Sequence, residues 1–144
     1  MKLFDAGAIK RTIVIGMQRG DDVLKCIQYA IKEYNIVQGA VLSGIGGLNT
    51  LSYHYVPDFA DVPNNQFVSV DAPWELTSLQ GTIVQGVEHI HVTACDDKGH
   101  TVGGHLEPGN IVLYVAEVVI VEFESGDFCR RADQFGLNYI TNAE

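Results

Sequence analysis

The chain has 144 residues and an ordinary globular composition, which predicts one domain over residues 1–144 with its core at about 9–125. A net charge of −9 and only nine Lys and Arg residues disfavour direct nucleic-acid binding, which uses clustered cations. Three widely spaced cysteines do not form the pattern of a disulfide framework. With no secretory signal and no apolar run near the roughly 20 residues of a membrane helix, we expect a cytoplasmic protein without membrane contacts.

The first predicted elements are a strand and the one helix that the sequence supports. Ile9–Met17 alternates between the two faces as a strand does. Gly20-Asp21-Asp22 then indicates a turn and a helix start, because an N-cap Asp accepts hydrogen bonds from free backbone N–H groups. Apolar residues at helical spacing predict a helix that ends near Asn35.

The rest of the chain is predicted to form strands. An apolar, glycine-rich run at Gly39–Gly47 leads into the alternating Leu48–Val56 and then a polar loop, Pro57–Asn65. Further strands are predicted at Gln66–Val70, Glu75–Val84, Glu88–Cys95, Thr101–Leu106 and Ile111–Phe123. The last is the most continuous apolar run, so we expect it at the centre of the sheet. These elements predict an α+β fold, a mostly antiparallel sheet with one main helix packed on one face.

The segment between residues 88 and 106 carries most of the histidines. Because side chains alternate across a strand, His89, His91 and Cys95 share one face, and the apolar residues between them take the other. The apolar face should pack into the core. The histidine face is therefore expected to be accessible to a ligand.

The register of the returning strand decides where His105 lies. A two-residue turn would pair Ile90 with His105 and place a histidine on the apolar face. A three-residue loop with Gly99 in a left-handed bulge instead pairs Ile90 with Leu106 and sets His91 opposite His105. The second register agrees with the apolar pattern, and we predict it.

In that register His89, His91 and His105 are close enough to bind one ion. Directly paired Cβ atoms lie about 4.5–5.5 Å apart, and imidazole nitrogens bind zinc at roughly 2.0–2.1 Å. We therefore predict a divalent metal site, zinc by preference, although nickel, iron and copper also accept imidazole. Gly103 and Gly104 are expected to leave space beside the rings, and three histidines leave a position open for water or a small ligand. The alternative is that these histidines are only polar side chains on the exposed face of a strand and bind no metal.

The remaining polar candidates are weaker. His54 and His100 are interpreted as structural or surface histidines, and Cys95 lies too far along its strand to join the site. Glu75 is a weak candidate for a catalytic acid, base or partner of the histidines, against the commoner role of a surface carboxylate. Gly44-Ile45-Gly46-Gly47 is not a phosphate loop, because a strand and not a helix follows it.

Several blocks in order resemble the PPC (plants and prokaryotes conserved) domain, over roughly residues 9 to 125. They are Gly20-Asp21-Asp22-Val23-Leu24, Gly39-Ala40-Val41-Leu42-Ser43-Gly44-Ile45-Gly46, Trp74-Glu75-Leu76-Thr77-Ser78-Leu79-Gln80-Gly81, His89-Ile90-His91-Val92, Val102-Gly103-Gly104-His105-Leu106 and Ala116-Glu117-Val118-Val119-Ile120. The resemblance implies an α+β fold and a homotrimer.

The same resemblance bears on function. Plant members of the family carry the domain behind Arg-Gly-Arg-Pro elements that enter the DNA minor groove, and this chain has none. In the plant motif Gly-Arg-Phe-Glu-Ile-Leu, the first three positions correspond here to Ala72, Pro73 and Trp74, so the plant partner contact is in doubt. Three functions remain open: a metal- or ligand-binding module, a DNA-associated regulatory protein, and a metal-dependent hydrolase or lyase of unknown substrate. We expect the first, with no catalytic activity.

Overall fold

The computed structural model describes residues 1–143, across which the chain forms one helix and eight strands. In chain order they are β1 (Ile9–Gln18), α1 (Val23–Glu33), β2 (Gln38–Tyr55), β3 (Gln66–Val84), β4 (Val87–Cys95), β5 (Thr101–Leu106), β6 (Val112–Phe123), β7 (Phe128–Ala132) and β8 (Asn138–Asn142). The polar loop predicted between β2 and β3 is present. The mostly antiparallel α+β architecture is confirmed.

Six strands form one antiparallel sheet in the order β1-β6-β2-β3-β4-β5, and β7 and β8 form a separate hairpin. β2 pairs with β6 over its first part and with β5 near its end, where Tyr53 and His54 lie opposite Leu106 and His105. Strands β2, β3, β4 and β5 therefore close into a ring, which we call the closed ring. Its interior is filled with aliphatic side chains that are almost completely buried, among them Leu51, Leu79 and Ile90.

The helix begins and ends as its sequence predicts. The Asp22 side chain accepts a hydrogen bond from the Lys25 backbone N–H at 3.2 Å, as an N-cap does. Beyond the last helical residue, Asn35 adopts a positive φ of 51°, a conformation that Asn tolerates better than most residues. The helix packs its apolar face against β1 and β6. No helix among the described residues is long and apolar enough to cross a membrane.

Two strands are longer than the sequence predicts, because β-bulges accommodate residues that are expected to end a strand. β2 continues past Gly47, and β3 continues through Pro73. Leu48 pairs with Trp74 and Thr50 with Asp71, so the residues between them fall in a register shift. A bulge accommodates Pro73, which has no N–H to donate to a partner strand.

The position of β6 and the last hairpin also differ from expectation. β6 lies between β1 and β2, one place in from the edge, and not at the centre of the sheet. Its sequence is mostly apolar for two reasons. One face of the strand is buried under α1, and the other face carries exposed apolar residues such as Val115. The hairpin of β7 and β8 follows the region that resembles the family and was not predicted.

Candidate metal centre

The β4–β5 hairpin has the predicted register. His91 lies opposite His105, Val92 opposite Gly104 and Ala94 opposite Val102. The connecting loop closes with a hydrogen bond from the Gly99 N–H to the Asp96 carbonyl at 3.1 Å, and Gly99 has a φ of +80°. Glycine adopts that conformation without the steric cost that a Cβ imposes. The turn therefore sets which residues of β5 face those of β4.

This register brings the rings of His89, His91 and His105 together. Their centroids are 5.3 Å apart for His89 and His91, 5.1 Å for His89 and His105, and 5.7 Å for His91 and His105. With nitrogens about 2.0–2.1 Å from a tetrahedral ion, three imidazoles around that ion have centroids roughly 5 Å apart. The spacing of the three rings is compatible with one shared ion.

His54 joins the cluster from β2, although the sequence suggests only a structural or surface role for it. It lies opposite His105, and the two rings stack with centroids 4.5 Å apart at an interplanar angle of 18°. Its Nδ1 is 2.6 Å from Oε1 of Glu107, which follows β5. His54, His105 and Glu107 offer ligand atoms within 4.8 Å of one another, and among residues 1–143 they are the one group of His, Cys, Asp or Glu side chains that does so.

Glu107 also approaches His105, whose Nδ1 is buried and has no hydrogen-bond partner. Oε1 of Glu107 is 3.5 Å from it, beyond a good hydrogen bond. Metal-binding histidines commonly donate their second ring N–H to a carboxylate. The unpaired nitrogen and the nearby carboxylate fit that arrangement and leave Nε2 of His105 available to an ion.

The electrostatics of the cluster favour the neutral form of two imidazole rings, those of His105 and His89. Burial lowers the pKa of His105 below its ordinary value of 6.5, and the neighbouring His54 acts in the same direction while Glu107 opposes it. Burial also lowers the pKa of His89, together with the positive charge of Arg130. Neutral imidazole is the form that binds a metal ion, so the fold prepares both residues for coordination.

A cavity of about 620 Å³ lies over the rings. Its walls come from the ring strands, from the loop after β2, and from the β7–β8 hairpin, which contributes Arg130 and Leu137. Gly103 and Gly104 are expected to leave space beside the rings, and this expectation is wrong. A Cβ on Gly104 would lie 2.2 Å from the His54 carbonyl oxygen, and one on Gly103 would lie 2.4 Å from that of Val92. These glycines permit close pairing of β5 with its neighbours.

Glu75 is not brought to the histidines. It is exposed and pairs with Cys95, four residues along β4 from His91, which corresponds to about 13 Å at the rise of a strand. It does not line the cavity. His100 is exposed and bonded to Asp96 at 3.0 Å, in agreement with a surface role.

Two residues near the histidines, Arg130 and Glu107, carry no local signal in the sequence. Arg130 and Arg131 look like a solvated pair, but Arg130 is half-buried and faces His89. Glu107 is an ordinary carboxylate until β5 pairs with β2. Both become visible only when distant strands are placed beside one another.

Comparison with known proteins places the chain in a family. The sequence profile of the Plants and Prokaryotes Conserved (PCC) domain, the PPC domain of the sequence analysis, matches residues 4–124. Bifunctional protein GlmU from Synechococcus sp. (strain JA-2-3B'a(2-13)) is 28% identical over 114 residues, which are 79% of this chain and 17% of that protein. The chain thus spans about a sixth of the length of that curated relative.

Solved structures share the whole fold. A metal-containing protein from Archaeoglobus fulgidus superposes with a TM-score of 0.83 at 22% identity, covering 99% of this chain and 100% of the other. A Bacteroides thetaiotaomicron protein described as a candidate DNA-binding protein gives 0.81 at 19% identity, with 99% and 100% covered. At these identities the likeness establishes the fold alone. Together with the profile match over most of its length, it shows that the chain belongs to the Plants and Prokaryotes Conserved domain family.

Proposed function

We propose that the chain is a metal-binding module that works as a homotrimer and holds a divalent ion, zinc by preference, on His89, His91 and His105. The convergence of the three rings, at centroid distances of 5.1 to 5.7 Å, carries this proposal. The metal content of the Archaeoglobus fulgidus relative supports it. When bound, zinc would supply a Lewis acid with one position open to water or a ligand.

The two candidate donor groups share His105, and their geometry favours different roles. The ligand atoms of His54, His105 and Glu107 lie within 4.8 Å of one another, whereas those of His89, His91 and His105 do not all lie that close. The ring centroids of His89, His91 and His105 are nevertheless only 5.1 to 5.7 Å apart. We assign the ion to these three histidines, whose rings would have to rotate to bring their nitrogens to one point. In this assignment Glu107 and His54 do not bind the ion but orient the His105 ring.

A binding role agrees better with the structure than hydrolase or lyase activity. Glu75, the candidate acid or base, lies away from the cavity and is exposed. General acid–base catalysis requires a group within hydrogen-bond reach of the reacting atoms. We propose that the module binds a ligand through its metal without converting it.

Direct DNA binding is not favoured, despite the description of the Bacteroides protein. The net charge is −9, and the adjacent cations Lys10 and Arg11 are engaged by the buried carboxylate of Glu122. Cations that already neutralise an internal carboxylate are poorly available to phosphates. A regulatory role would then require another DNA-contacting protein.

An exposed apolar sheet face supports self-association. Val14 of β1 pairs with Val119 of β6. Val115 lies four residues from Val119 on the same face of β6, and Ile45 of β2 pairs with Glu117 between them. Val14, Val115 and Ile45 are 69%, 63% and 51% exposed. Burying such a face between copies gains roughly 25 cal/mol per Å² of apolar area. We propose that this face forms the homotrimer interface that the family resemblance implies.

The direct test is the metal content of purified protein grown with ample zinc. We expect about one ion per chain in wild type and a loss of most of it in His91→Ala, because two histidines bind zinc much more weakly than three. His100→Ala, which removes an exposed histidine outside the cluster, is the matched control and should keep its ion. Wild-type protein without metal would overturn the proposal.

A further inference from the structure

Arg130 is the one Lys or Arg side chain that lines the histidine cavity within the described part of the chain. Its Nη2 donates a hydrogen bond to Oγ1 of Thr82 at 2.6 Å. Thr82 is the β3 partner of His89, so the bond holds the guanidinium beside that ring. Arg130 belongs to β7, and it reaches the cavity because its hairpin packs on β3.

Within the described residues the charge of Arg130 has no carboxylate counter-ion. No carboxylate of residues 1–143 forms an ion pair with it. Glu88, which also lines the cavity, instead accepts a hydrogen bond from Gln28 at 2.6 Å. A guanidinium carries five N–H donors in a planar fork, and Thr82 accounts for one of them. Donors therefore remain for an oxyanion.

The local electrostatics are unusual for an acidic protein. Arg130 is half-buried, and its hydrogen bond to Thr82 holds the guanidinium beside His89. The guanidinium is therefore partly removed from water and close to the rings. A partly desolvated cation without a partner is stabilised by an anion more than a fully hydrated one is.

Part of the cavity lining is apolar. Val56 and Pro63 come from the loop after β2, Val87 from the start of β4, and Leu137 from the turn before β8. At about 620 Å³ the cavity falls in the size range of small-molecule sites, which combine apolar walls with a few placed polar groups. The wall suits a hydrocarbon part of a ligand and not a fully hydrated ion.

We propose that the cavity binds a small organic monocarboxylic acid, with its carboxylate on the guanidinium of Arg130 and its apolar part against Val56, Pro63 and Leu137. This inference deepens the proposed function, since it names the ligand that would lie beside the metal on His89, His91 and His105. A carboxylate matches the planar fork of arginine through two parallel hydrogen bonds. The apolar wall favours a monoanion with a hydrocarbon tail over a compact dianion such as phosphate.

The test uses hexanoate as the probe and isothermal titration calorimetry on the full chain, both zinc-loaded and after chelator treatment. We expect Arg130→Gln to weaken hexanoate binding by at least about tenfold, the usual worth of a charge-assisted hydrogen bond. Arg131→Gln, on the neighbouring residue of β7, should change it by less than about twofold. Hexan-1-ol, which has the tail without the charge, should bind at least about tenfold more weakly than hexanoate.

Each outcome separates this inference from the metal proposal. Equal hexanoate affinity in Arg130→Gln and wild type, or no hexanoate binding by wild type in either state, would overturn it. Tighter binding of inorganic phosphate than of hexanoate would overturn the choice of a carboxylate. Wild-type protein without zinc would refute the metal site, while Arg130-dependent binding to chelator-treated protein would still support the inference. Arg130→Lys keeps the charge without the fork and should bind with intermediate affinity, which provides the test if Arg130→Gln does not fold.

Discussion

Glu107 connects the two histidine groups at the level of single atoms. Its Oε1 lies 2.6 Å from Nδ1 of His54 and 3.5 Å from the unpaired Nδ1 of His105. One carboxylate oxygen therefore faces both stacked rings. In the proposed site it fixes which nitrogen of His105 carries the proton, and so which nitrogen can bind an ion.

The first prediction concerns this carboxylate. Glu107→Gln should lower the zinc affinity about 10- to 100-fold, the usual effect of removing a carboxylate that orients a metal-binding histidine. Competition with a chromophoric chelator measures the affinity. Glu124→Gln, at an exposed carboxylate outside the cavity, is the control and should bind zinc as wild type does. An unchanged affinity in Glu107→Gln would show that the carboxylate does not act on the ion.

The second prediction concerns pH and the metal-free protein. The pKa of His89 and that of His105 are both lowered by burial, so the unfolded chain binds protons at these positions at higher pH than the folded chain does. Above the ordinary pKa of about 6.5 both states are unprotonated at these positions, and the two histidines do not change the stability. As the pH falls below that value, the unfolded chain takes up protons first, and the folded state is destabilised.

This effect is measured with chelator-treated protein at pH 7.5 and pH 5.5. The decrease in Tm between the two should be larger for wild type than for the His89→Gln/His105→Gln double variant, in which neither position titrates. Other acidic groups contribute equally to both proteins. An equal decrease in the two would contradict the prediction.

At the scale of elements, β5 is the strand on which the site depends. It pairs with β4 on one side and, through Leu106 and His105, with β2 on the other. Gly104 makes this double pairing possible, because a side chain there would contact the backbone carbonyl of His54. The His54 carbonyl is held by the pairing of β2 with β5, so moving it to make room for a side chain would cost free energy.

The third prediction is that Gly104→Ala destabilises the protein by about 1–3 kcal/mol, the cost of adding a methyl group where there is no space. Urea unfolding of the metal-free protein measures it. An unchanged unfolding free energy in Gly104→Ala would show that β5 has room to move.

The sequence predicts those parts of the fold that depend on neighbours along the chain. The β4–β5 register follows from a two-residue alternation and from the glycine at position 99, both of them local. The continuity of β3 does not, because Pro73 looks like a break until its bulge opposite β2 is seen. A local pattern cannot show that a partner strand will accommodate an irregular residue.

The candidate site divides in the same way. His89, His91 and His105 lie in one hairpin and are predicted together. His54 joins them through a pairing of β2 and β5 that contains only two residue pairs. Arg130 arrives from a hairpin that packs on β3 from near the end of the chain. Such long-range contacts leave no periodicity in the sequence, so these residues were found only in the folded structure.

On the scale of the whole molecule, charge and apolar surface have different distributions. The chain is acidic overall, yet the outward face of β1, β6 and β2 carries exposed Val14, Val115 and Ile45. An exposed apolar face on a soluble domain marks an association surface more often than single apolar residues do. Copies of this chain are the occupant that we propose.

The fourth prediction is that Val14→Glu converts the proposed homotrimer to monomers, because three added carboxylates would be buried in an interface between acidic subunits. Size-exclusion chromatography with light scattering measures the mass. Val62→Glu is the control: Val62 is 59% exposed, similar to Val14 at 69%, but lies in the loop between β2 and β3. It should remain a trimer. A monomeric wild type would refute the assembly itself.

The closed ring has one short junction, the two residue pairs between β2 and β5. Local separation of these strands would part His54 from His105, while His91 and His105 would stay paired in the β4–β5 hairpin. A bound ligand that requires the joined state resists such openings by mass action. How often this junction opens then sets how long His54 keeps its place beside the proposed ion site, and hydrogen exchange of the backbone amides at the junction would measure it.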